Sequence, residues 1–109
     1  MTNDVLLTNG DSWTFGSEII APEFLDDIKR KGGNASYINV SPQNDYYRIP
    51  RTWSYTVSKN LNKKLINISW PARSNDSIYD STVSWILEHY ILPQKPTNDL
   101  TVVVGWTTP

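Results

Sequence analysis

The chain has 109 residues, of which 10 are basic and 11 acidic, and it carries 39% apolar residues and no cysteine. That length supports one small domain, and the missing cysteines exclude a disulfide framework, a cysteine nucleophile and a thiolate metal site. The formal charge of −1 leaves no electrostatic footprint for nucleic acid or an anionic membrane, and the 19% charged content suits a globular chain.

In chain order, residues 1–8 lack the basic region and long apolar stretch of a signal peptide. No apolar run approaches the roughly 18 residues that span a bilayer. A cytoplasmic location, in a host cell or in a virion, is the expectation, so the Asn-x-Ser sequons at Asn34, Asn67 and Asn75 carry no weight. Val5-Leu6-Leu7-Thr8 reads as a buried strand that stops at Asn9-Gly10. Ala21 to Arg30 then spaces Phe24, Leu25 and Ile28 as a helix does, with Pro22 in its first turn and Gly32-Gly33 at its end. Gly33 to Ile49 is polar and irregular and reads as a long surface loop.

A second helix is expected from Pro50 to Leu61, with Trp53, Val57 and Leu61 four residues apart. Leu65 to Ser69 forms the second strand and stops at Trp70-Pro71. Asp76 to Tyr90 gives the clearest helical pattern, with Asn75 as N-cap and Ile78, Thr82, Trp85, Ile86 and His89 on one face. Pro93-Gln94-Lys95-Pro96 breaks the chain before the third strand, Leu100 to Val104, which is near-continuously apolar and ends at Gly105. There is no internal repeat and no low-complexity tract.

The three strands are separated by long helical or mixed segments and carry no hairpin signal, which predicts βαβ units. With right-handed crossovers the expected fold is a three-layer α/β/α arrangement around a short parallel sheet in the order 2-1-3, as in flavodoxin-like proteins. Ligands of such sheets bind beyond the carboxyl ends of the strands. There this chain carries Asn9-Gly10-Asp11-Ser12-Trp13, then Trp70 to Asn75, then Gly105-Trp106-Thr107-Thr108-Pro109.

In the first loop Gly10 permits a tight turn, Asp11 can accept backbone N–H bonds, and Ser12 stands above the sheet as a candidate nucleophile. The loop is not the G-x-S-x-G elbow, because Thr14 occupies the second glycine position. The plain alternative is an Asx turn that Ser12 merely extends.

Gly10-Asp11-Ser12 after strand one, with an Asn-rich turn after strand two, resembles the SGNH (GDSL-type) hydrolase family. A variant found in tailed, especially marine, phages is similar at more positions. Its strand-two turn reads Asn-x-Ala-x-x-Gly-x-Ser-Asn-Asp-x-Ile and its strand-three end Gly-Trp-Thr, against Asn67, Ser74-Asn75-Asp76, Ile78 and Gly105-Trp106-Thr107 in register here. The resemblance spans residues 1–109 as a single domain but covers only the front half of the family fold. It implies a serine esterase or acylhydrolase acting on esters or acetylated glycans, with no cofactor and no metal. Ser12 would be the nucleophile, supported by Gly10 and Asp11. The oxyanion and substrate would meet Ala72, Asn75 and Thr107.

Three departures bear on that expectation. Ala72 replaces the family glycine, so a Cβ crowds the oxyanion turn and disfavours positive φ. Thr107 replaces an asparagine. The family's Asp-x-x-His, which supplies the general base, has no counterpart here. His89, the only histidine, falls at the far end of a helix, roughly 15–20 Å from the strand ends. It reads as a packed or solvated side chain rather than a base.

Elsewhere, Asp26, Asp27, Asp45, Asp76 and Asp80 show no metal-ligand spacing with histidine. Lys59, Lys63 and Lys64 form a mild basic cluster. Tyr46 to Trp53 combines aromatics with Arg48 and Arg51, a composition able to stack on a sugar or cradle an anion, although packing explains it as well. Two functions compete: an ester hydrolase whose base lies elsewhere, and a non-catalytic binding or structural module of phage type on the same fold. Either way the third strand is expected to leave an open edge that pairs with another chain or with a second copy.

Overall fold

Three parallel strands form the sheet in the order β2-β1-β3, as the crossover argument requires. The computed structural model describes residues 4–33 and 36–107. The sequon at Asn34 and the Thr108-Pro109 end of the third loop lie outside the described residues. Strand β1 is Val5–Asn9, β2 is Lys64–Asn67 and β3 is Leu100–Val104. Val5 sits opposite both Lys64 and Leu100, and Thr8 opposite Asn67 and Val103.

The central strand carries the core. Leu6, Leu7, Thr8 and Asn9 of β1 have no exposed surface, as expected of a strand with neighbours on both sides and helices on both faces. The third strand does not share that burial. Val102 is 38% exposed, because β3 is an edge and has no neighbouring strand among the described residues on its outer side. An apolar run alone does not distinguish a covered strand from an uncovered one.

Side-chain alternation places the helices. Asn9 projects to one face, where its Nδ2 donates to Ile78 O at 3.1 Å and reaches Ser81 Oγ and Thr82 Oγ1 at 2.8 Å. Thr8 and its neighbour in register, Asn67, point the other way, and Asn67 Nδ2 donates to Thr14 O at 3.2 Å. The sheet is therefore layered between a helix spanning residues 75–86 and a set of shorter helices.

The short helices follow local signals. Asp11 caps α1, Ser12–Phe15, which ends at Gly16 in the left-handed conformation (φ +86°). Pro22 starts a 3₁₀ turn that leads into α2, Leu25–Arg30, and Gly32 and Gly33 end it with φ of +77° and +82°. The Tyr37 hydroxyl donates to Asp27 of α2 at 2.6 Å. Partial burial and that carboxylate push the Tyr37 hydroxyl up to about 12.

The expected loop over residues 33–49 is instead mostly helical. It holds α3, Ser36–Asn39, a 3₁₀ turn at Pro42–Asn44 and α4, Asp45–Arg48. Ser41 accepts from Gln43 N–H and Pro42 opens the turn, while Asp45 pairs with Arg48 one turn on at 2.9 Å. Such one-turn helices are too short to leave an apolar period in the sequence.

Helix α5 is Trp53–Asn60, starting later than expected because Thr52 caps it and Pro50 belongs to a preceding 3₁₀ turn. Its buried residues are Ser54 and Ser58, not the Trp53, Val57 and Leu61 row. Small side chains let the helix approach its neighbours closely. Helix α6 is Asn75–Ile86, capped by Ser74 rather than by Asn75. It continues as a π turn over Leu87–Ile91. The wider turn advances the helix phase by about one residue, so Tyr90, not His89, closes the buried face, with 3% of its surface exposed.

Candidate functional site

The carboxyl ends of the strands are joined by direct backbone bonds. Gly105 N–H donates to Asn9 O at 2.8 Å, Ile68 N–H to Thr8 O at 2.9 Å, and Trp70 N–H to Gly10 O at 3.3 Å. All three loops singled out from the sequence therefore meet at one edge of the sheet.

Gly10 and Gly105 are glycines for one shared reason. A Cβ on Gly10 would lie 2.2 Å from Thr14 Oγ1 and 2.9 Å from Gly105 O, and a Cβ on Gly105 would lie 2.6 Å from the same hydroxyl. Thr14, buried to 2% exposure, fills the space both glycines leave. The residue that departs from the G-x-S-x-G pattern is thus the packing centre of this turn. Asp11 Oδ1 accepts from Trp13 N–H at 3.1 Å, which is the turn-supporting role expected of it.

Ser12 is the first residue of α1 and is partly exposed. Its carbonyl accepts from Gly16 and Ser17 N–H, each at 3.0 Å. A cleft of about 420 Å³ opens beside it, lined also by Trp13, Ser17, Glu18 and Ile19. Trp13 is 86% exposed, an indole face available for an apolar or sugar ring. Glu18 has φ +70° and Ser17 Oγ is buried without a hydrogen-bond partner among the described residues. Neither residue was singled out from the sequence, since neither belongs to a spaced motif.

Phe15 packs edge-on against Trp70 at 5.3 Å, which ties α1 to the second loop. Ala72 in that loop adopts φ +64°. That is the left-handed geometry for which the resembled family uses glycine, and it costs alanine on the order of 1 kcal/mol. The turn thus takes a conformation that its own residue disfavours.

Asn75 and Thr107 form a two-bond clamp. Asn75 Nδ2 donates to Thr107 O at 3.0 Å, and Thr107 N–H donates to Asn75 Oδ1 at 2.8 Å. The Asn75 carboxamide holds the third loop against the start of α6. What remains for a ligand is its second Nδ2–H and the Thr107 hydroxyl.

Asn67 accepts from Ser69 N–H at 3.1 Å and Ser69 Oγ at 2.5 Å, so it too builds the turn. The fully buried Asn9, read from the sequence only as a stop signal, accepts from Gly10 N–H at 2.8 Å while its amide anchors α6. An amide at the end of an otherwise apolar strand was the one signal for it.

His89 is not part of this assembly. It stacks on Trp85 with ring centroids 4.2 Å apart, and its Nδ1 lies 2.9 Å from Trp85 O. It sits roughly 20 Å along the helix from Asn75. The arginines of the aromatic segment are likewise engaged: Arg48 lies 3.9 Å over Phe15 and donates to Phe15 O, and Arg51 lies 3.6 Å over Tyr47.

No family model matches the sequence, and no solved structure matches it significantly. A stretch of 55 residues, 50% of this chain, is 34% identical to an uncharacterized protein of Methanocaldococcus jannaschii. The matched stretch spans 35% of that relative's length, about a third.

Proposed function

We propose that this chain is an SGNH-hydrolase-like domain that holds an ester or acetylated glycan at the carboxyl ends of its strands. The reading rests on one observation. The Ser12 turn, the left-handed Ala72 turn and the Thr107 segment meet at one sheet edge through the backbone bonds and the Asn75 clamp. In this reading Ser12 Oγ attacks the ester carbonyl, the Ser12 and Ala72 N–H groups receive the developing oxyanion, and the ring or acyl group rests on Trp13.

A serine hydroxyl needs a base to be a useful nucleophile at neutral pH. Among the described residues no imidazole stands near Ser12, and His89 is the only histidine of the sequence, so in this reading the base comes from outside this chain. Added imidazole should then substitute for it. The Ser12-dependent part of p-nitrophenyl acetate hydrolysis, wild type minus Ser12→Ala, is expected to grow with imidazole concentration, with an acetyl adduct on Ser12 in the mass spectrum. Equal rates for the two proteins at every imidazole concentration would sink the nucleophile assignment. The position of His89, stacked on Trp85 at the far end of the helix from Asn75, favours a second reading, a non-catalytic binding or accessory module on the same loops. That equal-rate outcome would leave this second reading standing.

A further inference from the structure

A second cleft, of about 410 Å³, runs along β2 on the face that carries α1 and α5, and Ser12 does not line it. Its volume lies in the range of small-molecule sites. Phe15, Tyr55 and Leu65 give it an apolar floor, while Arg48, Lys59, Lys63 and Lys64 bring four cations to its walls, with no Asp or Glu among the lining residues. We infer that this cleft binds a small organic anion, a carboxylate carried on an apolar body.

The charge arrangement carries the inference. Counted with their partners among the described residues, two of these four cations are uncompensated, and a counter-charge inside the cavity relieves their mutual repulsion. The carboxylates that pair with two of the cations belong to residues outside the lining: Asp45 lies 2.9 Å from Arg48, and Asp4 lies 3.6 Å from Lys63. Among the described residues no carboxylate forms an ion pair with Lys59 or Lys64.

Arg48 is 7% exposed and held rigid, with one Nη on Phe15 O at 2.6 Å and the other on Asp45. Its Nε is buried without a hydrogen-bond partner among the described residues.

The strand edge adds donors. Lys64 and Ile68 N–H point toward β1, bonding Asp4 O and Thr8 O. In a parallel ladder the alternate residues, Leu65 and Asn67, therefore turn their N–H groups outward, and both line the cleft. The apolar floor then selects against a bare inorganic anion, which would leave Phe15, Tyr55 and Leu65 wet.

Titration of the full chain with octanoate, 1-octanol and inorganic phosphate tests this, by calorimetry and amide chemical shifts. Octanoate is expected to saturate one site, shifting Phe15, Tyr55 and Leu65. Its affinity should fall by about tenfold or more in the double variant Lys59→Gln/Lys64→Gln. Both lysines are exposed, so an unchanged circular dichroism spectrum is expected to confirm that the variant folds. Three results overturn the inference: octanol or phosphate binding as tightly as octanoate, an unchanged affinity in the double variant, or no saturable octanoate binding. The two sites are told apart by which amides move: Tyr55 and Leu65 line this cleft, whereas shifts at Ser12 and Trp13 would report the ester site instead.

Discussion

Asn9 joins more of this molecule than any other single side chain. It ends the buried strand, fixes the Gly10 turn through Oδ1, and holds α6 by Nδ2 contacts to Ile78, Ser81 and Thr82. With no exposed surface, it has no water to fall back on. Replacing it with alanine strands Gly10 N–H in a dry setting, removes the sheet's tie to α6 and opens a small void. The expected loss is on the order of 2–4 kcal/mol, measured as a lower urea midpoint at unchanged slope. A loss below about 1 kcal/mol would mean that the network is not cooperative. A single asparagine beside a glycine looks the same in sequence whether it ends a strand or pins a helix, so this role was not legible. The turn role of Asp11 was legible because an aspartate after Asn-Gly at a strand end readily accepts backbone N–H bonds. Asn75 was named for a substrate role, yet its clamp on Thr107 depends on the approach of two segments 32 residues apart, which no local pattern encodes.

Among the elements, α6 marks where periodicity informs and where it stops. The spacing of Ile78 and Thr82 correctly gives a helix and its buried face. Carried on at 3.6 residues per turn, it assigns His89 to that face. The π turn at Leu87–Ile91 breaks the count and buries Tyr90 instead. Sequence carries no marker for the inserted residue, because its cause lies in how the helix end meets the chain that follows, where Lys95 N–H donates to Tyr90 O at 2.8 Å. The consequence is testable by a pair of substitutions. Tyr90→Ala is expected to cost about 3 kcal/mol or more, in the range of buried aromatic truncations. His89→Ala, on an exposed stack, should stay within about 0.5 kcal/mol. Thermal melts of the two variants decide between the phases, and the reverse ranking would restore the regular helix. Helix α5 makes the same point: the spacing of Trp53, Val57 and Leu61 marks a helix, but it is Ser54 and Ser58 that pack inward.

The whole molecule is open for its size. Its radius of gyration is 15.5 Å, against about 13 Å for a compact domain of this length. Its accessible surface is 7110 Å², roughly 900 Å² more than the area typical of a monomer of this mass. Apolar side chains supply part of it: Val102 on the β3 edge is 38% exposed, and Tyr79, Val83 and Leu87, four residues apart on and just beyond α6, are 60%, 45% and 45% exposed. A second copy paired along β3 is the expected occupant, since an edge strand offers the same unpaired backbone groups to its twin. Light scattering at micromolar concentration should report a dimer, and Val102→Lys a folded monomer. A monomeric wild type would remove this reading.

The parallel topology has a consequence for the order in which the chain can fold. Each rung of β1 is made with a residue about 60 or about 95 positions later, and no hairpin lies between. Of the three strands, β1 is made first and is closed on both sides only when β3 has been made. Its Val5-Leu6-Leu7 run waits, unpaired, until both partner strands are available. Folding is therefore set by long loop closures rather than by a local nucleus, which places this small protein among the slow folders of its size.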